Sequence, residues 1–342
     1  MSAMLDAVVV RARAASGIAG KTDIAAVMAT LLPASHADHA IAIGDDCAAI
    51  PDETGGDGYL LFAIEGFVNA FVEQMPWFAG YCGVMVNLSD IAAMGGRPTA
   101  VVDAIWSRDN DHAKPIMEGL AAASHAYGVP IVGGHSNAHS SHEQLSVAVL
   151  GRARKLLTSF DAEPGDTLIA AIDLRGRYRE PLPNWDASTG AEAARLRADL
   201  DILPGLAEDG LCRAAKDISM GGLVGTTIML AECSGIGAVI DIDAVPRPID
   251  VEPARWLCET FPSFGFVMAV KPADADAVIA RFAARDIACA AVGQCDARRQ
   301  VRLREGADER LLRDLRHDTY IGCARERDRA AGQPREAIAR HA

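Results

Sequence analysis

Carboxylates set in short polar breaks between apolar runs are the first residues in this chain with chemistry to offer. In "IAIGDDCAAI" an apolar run ends at Gly44, and Asp45 and Asp46 follow at the turn. Adjacent carboxylates repel unless a cation or solvent relieves them. An oxygen-only pair suits Mg²⁺ bridging to a phosphate, and it equally suits a solvated turn. In "GYCGVMVNLSDIAAMGGRP" the polar residues Asn87, Ser89 and Asp90 interrupt a helix of Val84, Val86, Leu88, Ile91 and Met94. A carboxylate at the edge of a core needs a partner. Asp90 lies too near the negative end of its helix for the dipole to provide one, so a metal or ligand is the better account. In "AAKDISMGGLVGTTIMLAECSG" Asp217 and Ser219 precede Gly221, Gly222 and a long apolar helix. A glycine turn at a helix start presents N–H groups to an anion, although Asp and Ser are also ordinary N-caps.

Three further groups carry weaker signals. "IVGGHSNAHSSHEQ" spaces His135, His139 and His142 as H-x3-H-x2-H. That is short enough to share a metal softer than Mg²⁺, such as Zn²⁺ or Mn²⁺, or to be a polar loop rich in histidine. Arg175, Arg177 and Arg179 alternate in "DLRGRYREPLP". On an extended segment they share a face and would clamp a carboxylate or phosphate of a substrate; solvated loop arginines are the competing reading. Lys21, after Gly17 and Gly20, sits on a segment able to close over phosphates, or is a surface lysine at a helix start.

The elements that must position these residues are legible from periodicity. Residues 1–39 read as an N-terminal helical arm, with "KTDIAAVMATLLP" helical from its apolar spacing, Thr22 as its cap and Pro33 beyond its end. From about 40 to 155, "HAIAIG", "YLLFAIEG", "TAVVDAIW", "VPIVGG" and "LSVAVLGRA" read as strands, with helices near 76–95 and 112–127. A second block from 165 to 300 has strands "DTLIAAIDL", "GAVIDIDAV", "FGFVMAV" and "CAAVGQC", and helices near 190–200, 221–233 and 273–285. The two blocks join near "TSFDAEPGD". Some strands follow one another with no helix between, which favours a two-layer α+β fold over a doubly wound sheet. "IGDDCA" also lacks the glycine fingerprint of a dinucleotide fold. Residues 301–342 form a charged C-terminal extension; its interleaved "RLREGADERLLRDLRHD" reads as a solvated helix or tail.

Bulk properties exclude some classes. The net charge of −13 over 342 residues argues against a nucleic-acid footprint. It leaves room for an anionic ligand held through a cation. Apolar runs fall short of the roughly 20 residues a membrane span needs. The arginines of the first segment follow its apolar patch instead of preceding it, unlike a secretory signal. A cytoplasmic protein is expected, with its eight scattered cysteines as reduced, mostly buried thiols.

Taken together, "GDDCAAI", "VNLSDIAAMGGRP", "IVGGHS" and "KDISMGGL…ECSGIGAVIDIDAVP" resemble the AIR synthase-related, or PurM-like, superfamily of ATP-using enzymes. That group includes aminoimidazole ribonucleotide synthetase, thiamine-monophosphate kinase (ThiL), selenophosphate synthetase and a hydrogenase-maturation protein. The four stretches occur in the family's order over roughly 40–300. The wording is nearest an uncharacterised AIR synthase-related branch, with ThiL the nearest member of known activity. The resemblance implies a PurM-like N-terminal domain, a PurM-like C-terminal domain and a homodimer whose N-domain strands close a shared barrel. It implies ATP with its phosphates over Mg²⁺, and a small-molecule substrate. By motif, Asp45, Asp46, Glu65 and Asp90 are the metal positions, with Asp217 less secure as a ligand and carried as catalytic beside Lys21 and His135. Gly44, Asn87, Gly133, Gly134, Ser219 and Gly221 are the nucleotide positions, and Arg175, Arg177 and Arg179 the substrate ones.

The chain departs from that pattern in three places. Glu65 in "FAIEGF" stands where relatives carry an aspartate, His135 follows Gly133-Gly134 where GGDT is common, and Met220 holds the second acidic place of the ThiL motif D-x-S-D-G. Lost or lengthened carboxylates shift a ligand sphere that phosphoryl transfer tolerates poorly. The expectation is therefore an ATP-binding, Mg²⁺-dependent enzyme that phosphorylates or ATP-activates a small metabolite. The alternative is a nucleotide-binding protein that kept the fold without turnover, as a sensor or assembly partner.

Overall fold

The computed structural model describes residues 2–31, 43–52 and 58–323. In the first half, strands β1 (Ala48–Pro51), β2 (Tyr59–Gly66), β3 (Arg97–Trp106), β4 (Ile131–Asn137) and β5 (Gln144–Ala153) form one sheet in the order β1-β2-β5-β3-β4. Pairing is antiparallel except between β3 and β4. Period-2 alternation gives this sheet two unlike faces. Leu61, Ala63, Val101, Val147 and Val149 point inward and are buried, while Ile50, Phe62, Ile64, Val102 and Leu150 stay exposed on the outer face. The sheet is open in the single chain.

Four helices belong to this part of the chain or prepare it: α1 (Ala3–Ala14), α2 (Ser16–Ala19) and α3 (Asp23–Leu31) precede the sheet, and α4 (Asn69–Gln74) follows β2. Helices α5 (Pro76–Ala93) and α6 (Asn110–Tyr127) cover the inner face of the sheet. Helix α5 is buried from Phe78 to Ala93, so its polar residues are carried into the interior with its apolar ones. It meets α6 through two glycines. A Cβ on Gly80 would stand 2.0 Å from the Ile116 carbonyl oxygen, and one on Gly119 would stand 1.9 Å from that of Trp77. Backbone contact at both points sets the helix spacing.

The second half holds strands β6 (Thr167–Ile172), β7 (Arg177–Tyr178), β8 (Asn184–Asp186), β9 (Ala214–Asp217), β10 (Gly237–Asp241), β11 (Phe261–Pro262), β12 (Gly265–Val270), β13 (Ala288–Asp296), β14 (Gln300–Glu305) and β15 (Asp308–Asp314). Seven of them make the sheet β15-β14-β10-β13-β6-β12-β9, and β11-β8-β7 form a small one. Helices α7 (Ala193–Leu200), α8 (Ile202–Asp209), α9 (Gly222–Ser234), α10 (Pro253–Cys258) and α11 (Ala275–Ala283) complete this half. Every residue of α9 is buried, which explains its lack of an amphipathic pattern. Helix α1 also belongs here. Leu5, Val8, Val9 and Ala12 enter the same core as α9 and α10, and Asp6 pairs with Arg310 at 3.0 Å.

Most of the expected elements are present, and three expectations need correction. No strand runs through Ile43–Cys47; the chain turns at Gly44, whose φ is +122°, and pairing begins at Ala48. Residues 39–42 of "HAIAIG" lie outside the described residues. The Thr22 hydroxyl does not cap α3 but donates to the Ala19 carbonyl at 2.7 Å. The segment 300–314, expected as a solvated helix or tail, is the β14–β15 hairpin at the edge of the large sheet. Val301 and Leu303 alternate inward, while Arg302 pairs across the hairpin with Glu309, so its charges line the outer face of a strand pair.

The glycine contact gives a direct test. Gly119→Val should cost about 1–3 kcal/mol or more by forcing α5 and α6 apart, read from urea unfolding. Gly20→Ala, with open space around it, should change stability by less than about 0.5 kcal/mol.

Candidate functional site

Five acidic residues from four segments meet at the seam between the halves. Asp45 and Asp46 come from the turn before β1, Glu65 from the end of β2, Asp90 from the last turn of α5, and Asp217 from the end of β9. Glu65 continues the inward row of Leu61 and Ala63, which aims it at this seam. Carboxylate oxygens of Asp46, Asp90 and Asp217 lie within 4.8 Å of one another. Asp90 Oδ2 is buried with no hydrogen-bond partner, and one turn earlier the Asn87 Oδ1 is orphaned too while its amide donates to the Gly83 carbonyl at 2.8 Å. A buried, unsatisfied carboxylate oxygen costs free energy. Carboxylate oxygens from three residues in one place, one of them unsatisfied, are the donor set of a hard divalent cation.

Lys216, which the sequence reading did not single out, is the buried cation at this seam. Its ammonium pairs with Asp46 and lies 3.9 Å from Asp45 Oδ1. Asp45 itself turns away from the trio: it accepts from the Ser159 N–H at 2.7 Å and the Ser159 hydroxyl at 2.5 Å. Burial pushes the Asp217 carboxyl up to about 8, with Asp46 adding to the rise, and pushes Asp45 up to about 6 against the pull of Lys216. Burial, then Asp217, Glu65 and Asp46, drive Asp90 well above the carboxylate range. Burial alone would lower Lys216, yet Asp46 and Asp45 outweigh it and keep the ammonium charged.

A cavity of about 480 Å³ opens onto these groups. Lys21, Gly44, Glu65, Ser219 and Met220 reach it on the polar side, and Phe67, Phe71, Leu182, Pro183 and Phe261 line the apolar one. Lys21 stands on a short 3-10 turn, and the Ser219 Oγ is buried without a partner. Gly221 caps the N-terminus of α9 without a side chain and lies against Gly17, whose Cβ would fall 2.0 Å from the Met220 carbonyl oxygen.

Other candidates lie elsewhere. His135 pairs in register with Ala104, which shares its face with Val102, so it points outward from the sheet, away from the carboxylates. Its ring lies 6.4 Å from that of Trp106. Gly133 and Gly134 line a separate groove with Asp103 and Met117. The three histidines do not converge: His139 and His142 are exposed, and among the described residues the cluster able to hold a metal is the aspartate trio. Arg175 is engaged by Asp173 and Asp199, and Arg179 by Asp186; with Arg177 they line a pocket of their own. All eight cysteines are free thiols, and burial is the main force raising those of Cys47 and Cys82.

Residues 44–153 match the family model of the AIR synthase related protein N-terminal domain, and residues 164–305 match that of the C-terminal domain. The chain belongs to the AIR synthase-related family. It is 48% identical over 284 residues to an uncharacterized protein of Synechocystis sp., covering 83% of this chain and 87% of that one. The fold matches Thermotoga maritima PurL, solved with ADP, at a TM-score of 0.68 and 21% identity, over 88% of this chain and 48% of that longer one. It also matches AaThiL, solved with AMPPCP and TMP, at 0.61 and 17%, over 82% and 93%. No helix among the described residues is long and apolar enough to cross a membrane.

The raised carboxyls predict a pH dependence. Asp217, Asp45 and Asp90 hold protons in the folded chain at pH values where the unfolded chain has released them. That contribution to stability is full below about pH 4 and is lost as pH rises through about 8. Without divalent cations the melting temperature should therefore fall between about pH 6 and pH 9, and added Mg²⁺ should oppose the fall by replacing the protons. A melting temperature that rises over this range without metal contradicts the assignment.

Proposed function

We propose that this family member is an ATP-binding, Mg²⁺-dependent enzyme that phosphorylates or ATP-activates a small metabolite. The orphaned Asp90 oxygen within the Asp46–Asp90–Asp217 trio carries the reading. A divalent cation at the trio would neutralise phosphate oxygens, the largest need in phosphoryl transfer. The chain's own residues have separate tasks. Lys21 reaches the mouth of the cavity and would hold a phosphate by its charge. The Ser219 Oγ, buried and unpartnered, is free to bond a ligand oxygen. Phe67, Phe71 and Phe261 exclude water and give an apolar ring a surface to lie on. The nucleotide-bound structures of PurL and AaThiL, which share the fold, support nucleotide as the ligand class.

Met220 favours a second reading, a nucleotide sensor without turnover. It is half exposed at the cavity, where an acidic residue would add a ligand. Calorimetric titration with ATP and Mg²⁺ should show binding that Asp90→Asn weakens at least about tenfold. Absence of binding at millimolar nucleotide would sink both readings. Binding without ADP formation over a substrate panel, with turnover appearing in Met220→Asp, would select the sensor.

The outer sheet face supports a homodimer. Ile50, Phe62, Ile64, Val102 and Leu150 form an exposed apolar surface, unusual for a solvated sheet. A second copy laid on this face would cover it, and the open sheet would become half of a shared barrel. Light scattering should report a dimer for the native chain and a monomer for Phe62→Arg/Ile64→Arg; a monomeric native chain rejects the arrangement.

A further inference from the structure

The metal reading uses three of the seam's carboxylates and leaves Lys216 without a task. This lysine is 5% exposed, an expensive place for an ammonium unless its charge is needed. It lies on Asp46 and 3.9 Å from Asp45, so Asp46 faces the trio on one side and the ammonium on the other. A carboxylate shared between two cations about 3.5–4 Å apart is the arrangement of a two-metal centre. Here one of the two positions is filled by a side chain of the protein.

The two positions are unlike in the way their carboxylates are satisfied. Asp45, on the lysine side, accepts from the Ser159 N–H and hydroxyl as well as facing Lys216. Asp46 also accepts from the Asp217 N–H at 3.3 Å. The trio side is unfinished, since Asp90 Oδ2 is buried with nothing to bond. One side is complete in the protein alone, and the other waits for an ion.

We infer that Lys216 occupies the second cation position of this centre. The nucleotide-free chain then takes up a single divalent ion, at Asp46, Asp90 and Asp217, instead of two. This rests on the metal reading above. The tethered ammonium cannot be chelated or exchanged, so the turn carrying Asp45 and Asp46 stays docked on β9 whether or not an ion is bound.

The test is the stoichiometry of Mn²⁺ on the full chain without nucleotide, read by electron paramagnetic resonance of the free ion and elemental analysis after dialysis. The native chain should bind about one ion, and Lys216→Met about two, because Asp45 becomes a ligand. Adding Asp45→Asn to Lys216→Met should return the count to about one. Asp45→Asn alone should stay at about one, weakened no more than about tenfold. Two ions on the native chain, one on a folded Lys216→Met chain, or loss of the ion in Asp45→Asn each overturns the assignment. If Lys216→Met does not fold, the native chain and Asp45→Asn decide it. A native chain that binds no Mn²⁺ overturns the metal reading itself, an outcome distinct from a count of two.

Discussion

The buried ion pair between Lys216 and Asp46 is the contact on which the arrangement of this protein turns. One partner stands on β9 of the second domain and the other on the turn leading into the first, 170 residues apart in the chain. Breaking such a pair strands a charge in a medium that solvates it poorly, at about 3–5 kcal/mol. The pair is therefore a lock between domains, and Asp45 on Ser159 is a second one beside it. Once the turn is fixed there, the end of α5 brings Asp90 against Asp217, and the carboxylates that repel one another are held together by partners from both halves. The seam gathers unfavourable charge that a cation would relieve, on a frame held rigid by partners from both halves.

The two central helices explain how the strain is tolerated. Helix α5 is buried over nearly its whole length and locked to α6 by backbone contact at Gly80 and Gly119. Its polar residues cannot swing out to solvent, so Asn87 and Asp90 remain where the packing puts them. Helix α9 does the same for the second half. Its buried Glu232 accepts from the N–H groups of Tyr320 and Ile321 at 2.7 Å each, drawing the end of the described chain beside the cavity.

Much of this was readable in the sequence. Alternation located the long strands, the polar interruptions of α5 marked Asp90, and the Gly-Gly pair just after "KDISM" marked Asp217. What escaped depends on partners far away in the chain or on parity within a sheet. Lys216 precedes a recognised aspartate, and its only local signal was a charge among Ala214, Ala215 and Ile218 in a buried strand. His135 follows a glycine pair in the expected motif, yet a one-residue step in a strand reverses the face, and register with Ala104 turns it outward. Arg175 and Arg179 looked like a clamp because the aspartates that engage them were not visible as neighbours. The β14–β15 hairpin was missed because alternating charge and aliphatic residues on an edge hairpin resemble a solvated helix when the buried Val301 and Leu303 are so few.

Helix α1 has a consequence for how the chain is made. Its apolar side closes the core of the second domain, and Asp6 meets Arg310, which is 304 residues later. A ribosome therefore delivers this helix well before its binding place. Until α9 and α10 emerge, Leu5, Val8 and Val9 have no core to enter, and the nascent chain carries an unburied apolar helix face whose core β14 and β15 complete later. Long-range closure of this kind slows folding and exposes intermediates to aggregation. It also ties the completion of the second domain to the arrival of the last strands, so a chain interrupted before Arg310 would keep an exposed apolar helix of the kind quality-control chaperones bind.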